Sequence, residues 1–135
     1  MSIFTGELRP PVHLLKSQSD MVSDLALQSE HRSPVVAAML LSEIDRAELH
    51  ELESLPSDAV TIGSKVSYVD ERSRQLTKVE LVLPAHANIA TGKISILTPM
   101  GAALFGLRAG CLIDWPDIQG HPRRLRIKSV TQPAL

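Results

Sequence analysis

The chain has 135 residues, enough for one domain with a small appendage and a substantial hydrophobic core. Hydrophobic residues at 44% and charged residues at 21% describe an ordinary globular protein, and a net charge of −1 provides no overall drive toward nucleic acid. Aromatics at 3% (Phe4, Tyr68, Phe105 and Trp115) argue against a base-stacking platform and against an aromatic-lined pocket for a small-molecule substrate.

Residues 1–16 carry Pro10-Pro11 and no clear period, which reads as a tail or a short extended arm. Ser17 with Asp20 three residues on predicts a helix start, and Met21, Val22 and Leu25 give that helix a narrow apolar face up to Gln28. The polar residues 29–33 suit a short connection between helices. Ser33-Pro34 then predicts a second start, with Val36, Leu40, Ile44 and Ala47 on one stripe. Glu43 and Arg46 are expected on the outer face, paired across one turn. The segment ends in Glu48, Glu51 and Glu53, where the macrodipole favours cations, so its last turn should fray or be held by something else. Residues 17–54 are thus expected to form a short antiparallel hairpin of helices about ten and about twenty residues long.

Beyond a boundary at residues 55–58 the hydrophobic period changes to two. Strands are predicted at 65–70 and 78–83 across a turn at 71–74, then a loop at 86–92 and a third strand at 94–97. Thr98 is a plausible helix N-cap, Pro99 suits the first helical position, and Gly106 can end such a helix in the left-handed conformation. A strand at 111–115, a connection at 116–122 and a last strand at 121–130 complete residues 55–135. The fold class is α+β: a helical hairpin followed by strands wrapped around one short helix.

The run from Thr98 to Gly110, Thr-Pro-Met-Gly-Ala-Ala-Leu-Phe-Gly-Leu-Arg-Ala-Gly, resembles the SPLGRALLG…GD signature of the C-terminal domain of bacterial Gre-type transcript-cleavage factors. The resemblance is closest to the smaller relatives called regulators of nucleoside diphosphate kinase. It extends back through residues 44–47, 55–60 and 63–66 and covers roughly 34–133, with Cys111 standing where the family usually has Asp. It implies an FKBP-like fold for residues 55–135 and RNA polymerase as partner, engaged near the secondary channel, so that any DNA contact is indirect.

Three groups bear on function, the first two as candidates for partner contact and the third as the test of cleavage chemistry. The first is Met100, Leu104, Phe105 and Leu107 with Arg108, whose apolar members also fit a plain core. The second is Arg124, Arg126 and Lys128, placed at period two on one face of the last strand with Leu125 and Ile127 between them; it reads as a solvated face or as a contact for acidic groups. The third is the hairpin turn, Glu30, His31 and Arg32. Gre-type factors carry two acids at the tip of a long coiled coil to help hold a catalytic Mg²⁺, which wants carboxylate oxygens away from positive charge. Here Glu30 stands alone, followed by His31 and Arg32, with Asp24 about a turn and a half back on the helix.

No enzyme motif is present. The five histidines (His13, His31, His50, His86 and His121) lack metal-ligand spacing, Cys111 has no neighbouring histidine, and neither a serine elbow nor a phosphate-binding loop occurs. No catalytic residue, metal or cofactor is therefore expected. One cysteine excludes an internal disulfide, and no apolar run approaches the ~20 residues needed to span a bilayer, so a cytoplasmic protein away from membranes is expected. The function implied is polymerase-bound regulation that competes with Gre-type factors without cleaving transcript. The alternatives are regulation of another protein, such as the kinase in the family's name, and peptidyl-prolyl isomerase activity, for which the aromatics are too few.

Overall fold

Short stretches within residues 65–131 alternate apolar and polar side chains, and in the computed structural model, which describes residues 10–116 and 122–133, they become strands of a five-stranded sheet. Its strands are β3 (Lys65–Asp70), β4 (Leu76–Val82), β5 (Lys93–Ser95), β6 (Leu112–Pro116) and β7 (Pro122–Thr131), in spatial order β5-β4-β3-β7-β6. Val66, Leu81, Ile113, Leu125 and Ile127 point inward and are buried. One irregularity, between Ser67 and Tyr68, shifts the β3–β7 register from Ser67↔Ser129 to Tyr68↔Ile127, so Lys128 is the extra residue of a bulge. The strand expected at 94–97 forms one residue earlier, as β5, and pairs parallel to β4.

The β3–β4 turn is built on a buried acid. Asp70 accepts hydrogen bonds from the backbone N–H groups of Arg72 and Ser73 at 2.8 and 3.3 Å, and Arg74 takes a positive φ of 63° to close the reversal.

The central helix, α3 (Pro99–Leu104), starts as expected: the Thr98 hydroxyl accepts from Gly101 N–H at 3.1 Å, and Pro99 holds the first position. Gly101 has no room for a side chain, because a Cβ there would strike the Ser95 carbonyl oxygen. Gly106 has φ +83°, and a Cβ there would run into the side chains of Val12 and Leu14.

Those two contacts show what becomes of the N-terminal arm. Residues 13–15 form β1 (His13–Leu15), whose His13 N–H donates to the Gly106 carbonyl at 2.8 Å while Val12 and Leu14 enter the core. β1 runs directly into α1 (Lys16–Gln28), so the helix begins one residue before the expected Ser17 and without a side-chain cap; extended Leu15 occupies the N-cap. The described residues form one hydrophobic cluster, which joins Val12, Val22, Ala26 and Leu40 to Val60, Leu104 and Ile127.

The second helix departs from expectation in length. α2 spans Pro34–Asp45, 12 residues, and the acidic stretch beyond it is not helical. Residues 48–50 instead form β2 (Glu48–His50), paired parallel with β1, and a 3-10 turn follows at Leu52–Ser54. Backbone pairing to β1 begins as Glu48 N–H donates to the Val12 carbonyl at 2.8 Å, satisfying groups that an extended helix would have left at a frayed, acid-rich end. Glu43 is a second correction: it pairs with Arg46 as expected, at 2.6 Å, but it is buried rather than on the outer face. Arg46 explains the burial, since its other contact, from Nη2 to the Pro10 carbonyl at 2.7 Å, covers that flank of α2 with the incoming arm.

Candidate partner-binding surfaces

Residues 59–60 run beside residues 106–108, with Val60 N–H donating to the Leu107 carbonyl at 2.8 Å and Gly106 N–H to the Val60 carbonyl at 2.9 Å. Alternation along this short pairing turns Leu107 inward and Arg108 outward. Leu104, Phe105 and Leu107 are 0%, 2% and 2% exposed, so these three are core and offer no contact surface; Met100 is half-buried. Leu104 ends α3, and Phe105 and Leu107 lie on the segment that follows it, where packing consumes all three side chains.

Arg108 is the exception, 48% exposed, with its Nε donating to Asp58 Oδ1 at 2.7 Å. The loop that carries Asp58 is held by Gln132, whose Nε2 donates to the Pro56 and Ala59 carbonyls at 3.0 Å each. The result is an exposed charge pair on a fixed backbone. Asp58 carried no signal of this role, because the pair depends on the 59–108 bridge across fifty positions of sequence.

On the last strand, Leu125 and Ile127 face inward while Arg124, Arg126 and Lys128 face out. Arg124 Nε meets Asp114 Oδ1 at 3.0 Å, directly across the β6–β7 pair, and Arg126 Nε meets Glu71 Oε1 at 2.8 Å. Hydrogen bonding to Arg126 is the leading cause that holds the Glu71 carboxyl below its ordinary range; the nearby charges of Arg126, Arg74 and Lys128 act in the same direction, against some desolvation. This basic row is therefore partly neutralised, by Asp114 on β6 and by Glu71 in the β3–β4 turn. Neither partnership was read from the sequence: the first depends on the β6–β7 register and the second on contact between β7 and the β3–β4 turn.

At the helical hairpin, Ser29 is buried and organises the turn: its carbonyl accepts from Arg32 N–H at 3.1 Å and Ser33 N–H at 2.8 Å. Glu30, His31 and Arg32 stand exposed beyond it. At 13 and 12 residues the helices extend only about 20 and 18 Å at ~1.5 Å per residue. The turn offers a single carboxylate at the end of a stub whose first helix is slightly longer, and whose second is shorter, than expected.

Among the described residues, one cluster of metal-ligating side chains lies elsewhere. His13, Glu48 and His50 converge on the β1–β2 pair. Linear spacing hid this set, since His13 and His50 are 37 positions apart and only parallel strand pairing makes them neighbours.

Comparison with known proteins finds relatives in both sequence and structure. A family model described as the C-terminal part of transcription elongation factors GreA/GreB matches residues 55–132. The chain is 31% identical over 107 residues to a regulator of nucleoside diphosphate kinase from Escherichia coli strain K12, spanning 79% of each protein. It is 36% identical over 69 residues to the transcription elongation factor GreA of Rhodospirillum rubrum, which is 51% of this chain but 44% of that protein. Among solved structures, a GreA/GreB transcription elongation factor from Nitrosomonas europaea superposes with a TM-score of 0.74 at 33% identity, covering 91% of this chain and 99% of that one. Gfh1 from Thermus aquaticus shares the fold, with a TM-score of 0.51 at 22% identity over 91% of this chain and 99% of its own.

Proposed function

We propose a function from one premise: the chain belongs to the GreA/GreB family of transcription elongation factors, its family match lying over residues 55–132. In this reading it is a non-catalytic regulator of the nucleoside-diphosphate-kinase-regulator type. It binds RNA polymerase near the secondary channel through residues 55–135, an FKBP-like domain, while α1 (Lys16–Gln28) and α2 (Pro34–Asp45) form the hairpin. Occupancy competes with Gre-type factors and cleaves no transcript.

The observation that carries the non-cleaving part is the hairpin turn. Glu30 is exposed with His31 and Arg32 beside it, and the helices behind it are 13 and 12 residues long. A hard cation needs several oxygen ligands and is disfavoured next to a guanidinium, so this turn is unsuited to hold Mg²⁺. The contact proposed for the domain is the Arg108–Asp58 pair, with the exposed part of Met100 on α3 and the β7 basic row as secondary contacts.

The test is binding to core RNA polymerase in stalled elongation complexes, with a Gre-type factor as competitor and RNA cleavage as a second readout. Competitive binding without cleavage supports both parts. Binding with cleavage overturns the argument from the turn, and absence of binding at micromolar protein overturns the polymerase reading. The name of the Escherichia coli relative favours one second reading, contact with a nucleoside diphosphate kinase, and co-purification distinguishes the two. Isomerase activity has less support, because among the described side chains Phe105 is buried and Tyr68 half-buried, and neither forms an exposed aromatic wall.

A further inference from the structure

β1 and β2 are only three residues long each, and their parallel register sets His13 beside Glu48 and Leu15 beside His50. Residues 13, 48 and 50 therefore share one face of the pair, opposite the face on which Leu14 enters the core. His13 Nδ1 lies 3.1 Å from His50 Nε2 and 3.4 Å from Glu48 Oε2, and His50 Nε2 lies 3.9 Å from Glu48 Oε1. The rings are tilted by 39° with centroids 5.3 Å apart, so their nitrogens converge rather than stack.

These separations suit ligation of one shared metal ion. Nitrogen and oxygen ligands about 2.0–2.1 Å from a tetrahedral Zn²⁺ sit about 3.3 Å from one another. The surroundings prepare the same nitrogen. Ser54 Oγ donates to the Glu51 carbonyl at 3.3 Å, which leaves its lone pairs toward His50 Nδ1, also 3.3 Å away. His50 then carries its proton on Nδ1 and presents the Nε2 lone pair toward His13, the arrangement in which an outer hydrogen bond orients a ligating imidazole. The histidine side chains are 15% and 11% exposed while Glu48 is 66% exposed, so the two nitrogens are sheltered and the carboxylate stands at a solvent-facing opening.

We propose that His13, His50 and Glu48 form a binding site for a divalent transition ion, Zn²⁺ foremost, with the fourth position open to water. Imidazole with one carboxylate selects Zn²⁺ and its first-row neighbours over Mg²⁺ or Ca²⁺, which prefer all-oxygen sets. The bound ion fastens the N-terminal arm to the segment after α2, clasping the two ends of the helical hairpin at its base. Because the ligands converge only in the folded chain, the ion stabilises that state.

The test uses the full chain, freed of metal with a chelator and titrated with ZnCl₂ by calorimetry, with thermal melting and Co²⁺ absorption alongside. One ion per chain at micromolar affinity, a raised Tm, and tetrahedral Co²⁺ bands without a thiolate charge-transfer band are expected. His13→Asn or His50→Gln should weaken binding at least tenfold and remove the Tm shift, and Glu48→Gln, an exposed and fold-neutral change, should weaken it several-fold. A variant with His31, His86 and His121 all changed to Gln should bind as the parent does. Equal Zn²⁺ affinity in the parent and in the His13→Asn/His50→Gln variant, or loss of binding in the triple variant, overturns the proposal and leaves a hydrogen-bonded histidine pair. Should the histidine variants misfold by circular dichroism, Glu48→Gln decides alone: unchanged affinity there overturns the three-ligand site.

Discussion

Gly106 sits where β1 crosses the end of α3, and two demands fall on that one position. Its φ of +83° disfavours any L side chain, and a Cβ would meet Val12 and Leu14. Gly106→Ala should therefore destabilise by about 2–4 kcal/mol in denaturant unfolding, combining left-handed strain with overpacking. Glu71 is a residue-scale case of a different kind. Its carboxyl titrates below the ordinary range because Arg126 donates to it. A depressed folded-state value means that its contribution to stability is complete at neutral pH and is lost as pH falls through the ordinary carboxylate range and through the lowered value. A carboxyl-detected NMR titration should place Glu71 below a typical glutamate, and Arg126→Gln should move it back up; an unmoved midpoint would show that Arg126 is not the cause.

At the scale of elements, the instructive one is α2. Its apolar stripe was visible, and Leu40 is buried while Ile44 and Ala47 pack against the core. The helix nevertheless stops at Asp45, because the next residues find a backbone partner in β1 that helix continuation would deny them. Arg46 binds this junction together by joining buried Glu43 to the Pro10 carbonyl. Arg46→Ala should cost about 1.5–3 kcal/mol, the range for hydrogen bonds to a charged group, in equilibrium unfolding. It should also speed amide exchange at Glu48, whose N–H bonds to the arm. Strands were easier to anticipate: β3 occupies the expected 65–70, and β7 spans Pro122–Thr131 against an expected 121–130. The expected connection between β6 and β7 lies mostly at 117–121, outside the described residues.

For the whole molecule, the hairpin and the sheet share one hydrophobic cluster, so the two are packed into one body. Arg108 is the residue through which the polymerase reading is best tested. It is exposed and its ion pair with Asp58 lies at the surface, where such pairs contribute at most about 1 kcal/mol. Arg108→Glu should thus leave the Tm within a few degrees of the parent. If Arg108 meets an acidic site on polymerase, reversing it should weaken association by more than tenfold, since close interfacial charges couple by about 1.5 kcal/mol or more. Equal affinity in a pull-down titration would remove Arg108 from the interface. Among the described residues no helix is long and apolar enough to cross a membrane.

The amino-acid order by itself determined the local events: the strand periods, the Thr98-Pro99 start and Gly106 stop of α3, the Ser33-Pro34 restart, and the glycine-rich run that carries the family signature. Each depends on backbone preferences acting within a few residues, and composition records those directly. Tertiary structure decided who meets whom. The parallel β1–β2 and β4–β5 pairings, the burial of Glu43, the acids opposite Arg108 and Arg126, and the gathering of His13, Glu48 and His50 all join residues distant in sequence. Such pairings follow from burying apolar surface while giving every enclosed backbone N–H and C=O a partner, a condition on the whole chain that no short window of residues contains.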